Sequence, residues 1–508
     1  MTVLLDGPAT LGRRAEQLLD RVGDHESLVF EGTRYRSGQL AHRARRAARG
    51  LAELGVRPGD RVVLCMANCP EVGIAYAALW RAGAVPTPVL FLLTEDEMRH
   101  VVTDSDAVAV ITTPEFLAKV RAAAPGLPVV VVGDPAEGTV DFADLEAGDE
   151  LALVDRAPED LAALLYTGGT TGRSKGVALT HASLDAAGAA GMAGSWEPGR
   201  NVTLVPLPLA HAYGLLVAVA GLHAPEPAMT VLMRWFDPAA WVALVEEHKV
   251  TSAALVPSML QMILGQPLER HDLSSLERIG CGAAPLAADV VHEIERRIPT
   301  AQVREGYGAT ESSALISSQP RGERRLGSVG KPIPGNEVQI QAPDGTVLPP
   351  GQDGEICVRG PVLMSGYWKS PEATADALRG GWLHTGDIGH LDDEGWLYLV
   401  DRLKDLIIRN GFNVYPRDVE DVLLAHPQVV GAAVVGRPDP VVGEEVVAFV
   451  ALAPDATVTP AQLVDFTKER IGAHKYPREV RVLDAIPLTS VLKTDRKAVR
   501  KLLAAPPA

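Results

Sequence analysis

Short runs of β-branched and aliphatic residues alternate with amphipathic stretches along much of the chain, and that rhythm predicts its architecture. Residues 61–66, 108–112 and 129–132 read as strands, the last apolar throughout, as in a strand buried on both faces. Residues 201–205, 229–233 and 252–256 repeat the pattern, with amphipathic helices expected at 239–247 and 287–297. Such alternation predicts an α/β fold, a large N-terminal domain of parallel-type sheets covered by helices. Between 327 and 359 the texture changes to short strands separated by PIPGN, APDGT and PPGQDG, which predicts a small β-subdomain. A second change near 401–405 opens an α+β segment long enough to be a domain. The expected division is 1–403 and 404–508.

A chain of 508 residues exceeds one ordinary core, in agreement with two or more domains. With 48 basic against 64 acidic residues the net charge is −16, which repels polyanions and argues against a nucleic-acid partner. Four cysteines (Cys65, Cys69, Cys281, Cys357) make no disulfide framework, and buried thiols are expected, although Cys65 and Cys69 are spaced to share a helix face. The first residues lack the apolar core of a signal peptide, and the apolar stretch around 215–222 is too short to span a bilayer. A cytoplasmic protein without membrane insertion is expected.

Directly after the apolar run 161–165 comes YTGGTTGRSKG (166–176). Its glycines let backbone N–H groups approach an anion, its hydroxyls add donors, and Lys175 adds a positive charge. It reads as a loop that grips nucleotide phosphates, although its order is not that of the common P-loop; the bland reading is a Gly/Thr turn before a helix. Residues 276–287, LERIGCGAAPLA, mimic a dinucleotide-binding strand–turn–helix with Glu305 as the ribose acid, which would make an NAD-dependent oxidoreductase. Pro285 occupies the third glycine position of that motif. GYGATE (306–311) offers an aromatic ring for a base and a carboxylate for Mg2+. WLHTGD (382–387) ends in an acid suited to ribose hydroxyls, and RLKD (402–405), GFNVYP (411–416) and Lys493 follow. Taken singly, each is as well explained as a turn, a solvated charge run or a surface lysine.

Jointly and in this order, with PLPLAHAYG (206–214) and GWLHTGDIG (381–389), they resemble the adenylate-forming superfamily of acyl- and aryl-CoA ligases, firefly luciferase and peptide-synthetase adenylation domains. The resemblance covers nearly the whole chain. It implies that ATP and a carboxylate give an acyl-adenylate and pyrophosphate, with Mg2+, and that CoA then takes the acyl group. It further implies that Thr167, Gly168, Gly169, Thr170, Thr171, Gly172, Ser174 and Lys175 hold the β- and γ-phosphates. Thr310 contacts the α-phosphate and Glu311 holds the metal; Gly282, Ala283 and Ala284 sandwich adenine with Tyr307, flanked by Gly306 and Gly308. Asp387 and Arg402 take the ribose, with Tyr398 also in the ATP site, and Lys493 meets the carboxylate and α-phosphate. The C-terminal domain is implied to be mobile about Lys404, withdrawing Lys493 and bringing Gly411 and Phe412 to line the acceptor tunnel. Three departures from the family pattern stand out: Gly168 for serine, Ala210 for an aromatic, and Leu492 for the glycine before the lysine.

The acid pocket implied is His211, Ala212, Tyr213, Val217, Gly282, Ala283, Gly308, Ala314 and Leu315, with His211 also counted as catalytic. No aspartate between 206 and 221 is placed to hold an α-ammonium, which disfavours amino acids, and no second carboxylate-binding arginine is evident there, which disfavours dicarboxylates. Aryl and fatty acids both fit small apolar walls; Tyr213 favours an aryl ring. A carrier-protein pantetheine, an amine, or an unusual acid such as nitrite remain alternatives to the CoA reaction. Arg409, Arg417 and Lys475 are the nearest cations by sequence for the CoA 3′-phosphate.

Overall fold

The computed structural model describes residues 7, 9–167, 173–489 and 494–503. By its internal contacts the chain forms two compact units, Met1–Glu337 with Val358–Leu383, and Val338–Cys357 with His384–Ala508.

Two parallel sheets organise the first unit. The nine-stranded sheet runs, through its parallel centre, Gln302–Tyr307, Arg278–Cys281, Ser252–Leu255, Val202–Val205, Met229–Leu232 and Glu26–Phe30, with short antiparallel strands at both edges. The five-stranded sheet is parallel throughout, in the order Val85–Pro88, Arg61–Cys65, Ala107–Thr112, Val129–Val131, Val140–Asp141. Every strand expected from an apolar run is present to within a residue or so, as are helices Pro238–His248 and Ala288–Arg297. A third, antiparallel sheet joins Leu161–Thr167, Lys175–Thr180 and Gly366–Tyr367.

In the second unit, strands Phe412–Val414, Ile407–Arg409, Gly443–Leu452 and Val429–Asp439 form a sheet, with Glu479–Leu483 parallel to 443–452. Alternate residues serve opposite faces. Val434, Val446 and Ala448 pack with Val419, Leu423 and Leu463 of helices Pro416–Leu424 and Pro460–Lys468, while Ala433, Val435, Val447 and Phe449 pack with Val499. Burial on both faces explains why these strands read as unbroken apolar runs.

The β-subdomain is larger than its sequence texture. Glu337–Gln341 and Gly354–Arg359 join Leu383–Leu391 and Leu397–Arg402 in one four-stranded sheet, whereas Lys331–Pro332 is an edge of the nine-stranded sheet. Local turn chemistry marks strands but not their distant partners. The expected boundary at 403/404 therefore falls inside the second unit. The four cysteines are buried and free. Cys65 ends a strand and Cys69 precedes helix Pro70–Arg81, so they share no helix face, and burial pushes both thiols up to about 12. Among the described residues no helix is long and apolar enough to cross a membrane.

A buried ionic cluster ties helix Leu11–Val22 to helix His181–Ser195. Arg14 Nε meets Asp185 Oδ1 at 2.8 Å, His223 Nε2 meets the same oxygen at 3.1 Å, and His181 Nδ1 accepts the Leu11 N–H at 3.2 Å. His181 is 1% exposed, and burial holds it down at about 4 against an ordinary 6.5. The unfolded chain then binds the extra proton between these two values, so stability falls as pH drops through this window. The loss should approach about 3 kcal/mol by pH 4. Urea titrations across pH 4–7 should show this slope, and His181→Asn, which keeps an acceptor for Leu11 but does not titrate, should flatten it. An unchanged slope in the variant would assign the acid sensitivity to other groups.

Candidate active site

The Gly/Thr segment begins and ends in two paired antiparallel strands. Strands Leu161–Thr167 and Lys175–Thr180 pair with Thr167 opposite Lys175, and helix His181–Ser195 starts only after the second strand, capped by Thr180 and Ser183. Gly168, Gly169, Thr170, Thr171 and Gly172 lie outside the described residues. The chain is held on both sides of them. The Tyr166 hydroxyl donates to Asp104 Oδ2 at 2.6 Å, His100 Nε2 donates to the Ser174 carbonyl at 2.8 Å, and the Trp368 N–H donates to the Gly176 carbonyl at 2.7 Å.

Beyond the loop, Lys175 Nζ sits 5.1 Å from the centre of the Tyr367 ring, whose hydroxyl donates to Glu311 Oε1 at 2.9 Å. Burial, and then the Glu311 charge, push the Tyr367 phenol up, so it stays a proton donor. The structure thus brings Lys175 to the ring and Glu311 to the hydroxyl of one tyrosine. Sequence reasoning missed Tyr367: an aromatic pair, Tyr367–Trp368, after the apolar 362–364 looks like ordinary core.

Thr310 and Glu311 occupy a 3-10 turn, Thr310–Ser312, and the Glu311 carbonyl accepts the Met364 N–H at 2.8 Å. Backbone crowds backbone around it. A Cβ on Gly308 would lie 2.3 Å from the Ala314 carbonyl carbon and oxygen, and one on Gly282 3.0 Å from the Gly306 carbonyl oxygen. Ala283, Ser313 and Ala314 are left-handed, at φ 72°, 50° and 69°, each costing about 1 kcal/mol or more. Tyr307, the last residue of its strand, is buried. Gly282 packs against the next strand and the helix begins only at Ala288, so Gly280 and Gly282 do not form the glycine turn at a helix N-terminus that a dinucleotide site needs.

His211 caps helix Ala212–Gly221: its Nδ1 accepts the Tyr213 N–H at 3.2 Å. Gly214 fixes the preceding segment, because a Cβ there would lie 2.2 Å from the Pro208 carbonyl oxygen. Ala212 is buried and Val217 half-buried on the same helix. Tyr213, Ala314 and Leu315 meet in one apolar cluster with Leu216 and Ala187, and the Tyr213 hydroxyl donates to the Gly280 carbonyl at 3.3 Å.

In the second unit, Asp387 and Arg402 are cross-strand partners, with Arg402 Nε 3.0 Å from Asp387 Oδ1. Asp387 is held by its own turn. Its N–H donates to Thr385 Oγ1 at 3.1 Å, and Thr385 Oγ1 donates to the Ile356 carbonyl at 2.8 Å. Tyr398 stacks on His390, centroids 5.0 Å apart. Lys404 lies in the turn Leu403–Asp405. Asn410 and Gly411, at φ 51° and 79°, form the tight turn joining Ile407–Arg409 to Phe412–Val414, with Phe412 58% exposed. Arg409, Arg417 and Lys475 are each paired, with Glu445, Asp421 and Asp418 at 2.8, 3.7 and 2.6 Å, so none is a ready-made site for a CoA phosphate. Leu492 and Lys493 lie outside the described residues; Leu488 and Thr494, on either side of them in the chain, form an antiparallel bridge.

Residues 15–368 match the family of AMP-binding enzymes, and residues 418–493 match the AMP-binding enzyme C-terminal domain. The chain is 38% identical to a feruloyl-CoA synthase of Amycolatopsis sp (95% of this chain, 96% of the relative). It is 36% identical to 4-coumarate–CoA ligase 3 of Oryza sativa subsp. japonica (99% and 93%). Among solved structures it matches the amide bond synthetase McbA from Marinactinospora thermotolerans, with 32% identity, a TM-score of 0.88 and coverage of 97% and 99%. The chain belongs to the AMP-binding enzyme family.

The Gly308–Ala314 approach is directly testable in such an enzyme. Gly308→Ala puts a methyl against backbone and must displace the Thr310–Glu311 turn. AMP affinity measured by calorimetry should weaken about tenfold or more, an effect of misplacement rather than lost charge. Wild-type affinity in this variant would show that the turn's position is not critical to nucleotide binding.

Proposed function

We propose that the protein activates an aryl carboxylic acid with ATP, releasing pyrophosphate and forming an acyl-adenylate, and then passes the acyl group to the thiol of CoA, giving acyl-CoA and AMP. The observation that carries this reading is the Lys175–Tyr367–Glu311 line, a cation and a carboxylate held about one aromatic ring, with Thr310 beside the carboxylate. Joining two anions at phosphorus requires neutralised charge and fixed geometry more than covalent help from the protein. Lys175 supplies a fixed charge to the phosphates and Thr310 a hydroxyl to the α-phosphate. Glu311 makes no ion pair among the described residues and offers hard oxygen ligands, which fits Mg2+. Bound there, Mg2+ would offset phosphate charge during the displacement. Tyr367 orients Glu311.

Asp387, steadied by Thr385, takes the ribose hydroxyls with Arg402 beside it. Lys493 serves the first step as a donor to the carboxylate and α-phosphate. In the second step rotation at Lys404 replaces it with Gly411, where the absence of a side chain leaves a path for pantetheine. The relatives named for coumarate and ferulate support an aryl acid over a fatty one, as does Tyr213 in the apolar cluster. A second reading of the acceptor, an amine, is favoured by the likeness to an amide bond synthetase. A carrier-protein thiol is a third. A competition between CoA, a pantetheinylated carrier protein and small amines at fixed acid and ATP, scored by product mass, separates them.

Lys493→Ala should slow acid-dependent pyrophosphate release by two to three decades, about 3–4 kcal/mol, while sparing thioester formation from pre-formed adenylate. Equal loss in both half-reactions would contradict the proposed division of labour. Tyr367→Phe removes a hydrogen bond to a charged group, so turnover should fall roughly tenfold with a higher Mg2+ requirement. If the Mg2+ dependence is unchanged, Tyr367 does not orient a metal ligand.

A further inference from the structure

Two arginines sit on one face of the central sheet without a carboxylate partner among the described residues. Strand Arg278–Cys281 buries Ile279 and Cys281 on one face and leaves Arg278 and Gly280 on the other, half-buried. Gly282 continues that row, and parallel register places Arg304 beside Gly280, followed by Gly306. This face therefore presents three glycines in place of side chains, and it ends in two guanidinium groups. The Tyr213 hydroxyl lies over it, 3.3 Å from where a Gly280 Cβ would be. The end of helix His181–Ser195 borders it too, since the Gly194 carbonyl is 3.5 Å from Arg278 Nη1 and a Gly194 Cβ would be 3.5 Å from Ser318 Oγ.

Arg278 has only that long contact with Gly194, and its Nε is shielded from solvent with no hydrogen-bond partner. Arg304 donates to Gln302 Oε1 at 2.8 Å and to the Pro320 carbonyl at 3.4 Å. Neither forms an ion pair among the described residues. Burial, opposed in part by Tyr213 and reinforced by Arg304, pushes the Arg278 guanidinium down to about 10, so it remains charged at neutral pH. A shielded, unpaired cation is costly unless an anion completes it. The protein supplies none here although its net charge is −16. Roughly 13 Å of strand separates Gly282 from Arg278. That span is comparable to an arginine side chain together with an aromatic ring that carries an acidic group at each end.

We propose that Arg278 determines specificity, and that the acid activated by this enzyme carries a second ionised group, of carboxylate type, at the end remote from the carboxyl that is adenylated. This rests on the adenylation reading above. It reverses the expectation that dicarboxylates are disfavoured, because the arginine that receives the second carboxylate belongs to a neighbouring pleat and not to the residues compared by motif. Arg278 acts by a charge-assisted, bidentate-capable contact with the distal group. The row Gly280–Gly282 contributes no side chain of its own between the two ends.

Pyrophosphate release should be measured with benzene-1,4-dicarboxylate, 4-methylbenzoate and 4-hydroxycinnamate. Wild-type enzyme should favour the dicarboxylate over 4-methylbenzoate by about tenfold or more in kcat/KM, because a site that pairs a charged group rejects the analogue lacking it. Arg278→Met should cost the dicarboxylate about thirtyfold while leaving 4-methylbenzoate within a few-fold, and Arg278→Lys should recover part of the loss. A merely structural arginine would lower all three acids together, and that result, or equal wild-type use of neutral- and phenol-ended acids, overturns the proposal. If no acid yields pyrophosphate, the adenylation reading fails first. Calorimetry of the same acids in the presence of AMP then judges Arg278 alone. Dicarboxylate binding lost in Arg278→Met supports its role, and binding equal in both proteins refutes it.

Discussion

The close approach of backbone to backbone at one end of the nine-stranded sheet is the constraint on which the rest of the site depends. Gly282 against Gly306, Gly308 against Ala314 and Gly330 against Ser318 leave no room for a Cβ, with Gly330 the tightest, 2.0 Å from the Ser318 carbonyl carbon. These contacts draw successive strands and their outgoing loops together. They also leave a face free of side chains, beside which Thr310 and Glu311 project. The left-handed Ala283, Ser313 and Ala314 show that the arrangement is held against local preference. Strain of that kind persists only where the surroundings over-determine it. Here the surroundings are the apolar cluster of Leu315, Leu216 and Val362 on one side and the Glu311–Met364 backbone contact on the other.

Charge is arranged with the same economy. The chain is strongly acidic, yet Lys175 lies against the Tyr367 ring, and Arg278 and Arg304 have no carboxylate partner among the described residues. Elsewhere arginines are consumed by pairing, as Arg409 is by Glu445 and Arg14 by Asp185. An unpaired cation in such a background is therefore informative in a way that one on a basic protein would not be.

Much of this was legible in the chain, for identifiable reasons. Parallel strands buried on both faces advertise themselves as apolar runs, so 61–65, 129–131 and 252–255 needed no tertiary knowledge. Motif order pointed to Asp387 and Arg402, and the structure adds that they are register partners. Pairing between distant segments was illegible. The sheet that unites 337–341 with 397–402 and the place of Tyr367 beside Glu311 both depend on long-range register, which no local window encodes. Arg278 was hidden for the same reason. In the sequence it is a charged residue entering a strand, and only the alternation of faces places it in line with Gly280 and Gly282.

Local anchoring also bears on the hinge proposed at Lys404. Lys404 lies between two aspartates with defined attachments. Asp405 is buried and accepts from Arg500 at 2.7 Å, so the residue after Lys404 is fastened to helix Arg496–Leu502. Asp401, before Lys404, accepts the Arg417 N–H at 2.9 Å, and Arg417 donates in turn to the Leu399 carbonyl at 3.4 Å. The rotation proposed at Lys404 would leave the Asp405 attachment intact, because Arg500 would travel with it. It would have to release both the Asp401–Arg417 and the Leu399–Arg417 contacts, because both span Lys404. The Arg417 N–H lies in the first turn of helix Pro416–Leu424, where backbone donors have no intrahelical acceptor, so a carboxylate there is held by one exchangeable bond that water can replace. Two hydrogen bonds from one residue across the proposed pivot would give it a discrete resting orientation and a modest barrier to leaving it, the two properties that the proposed alternation between half-reactions requires.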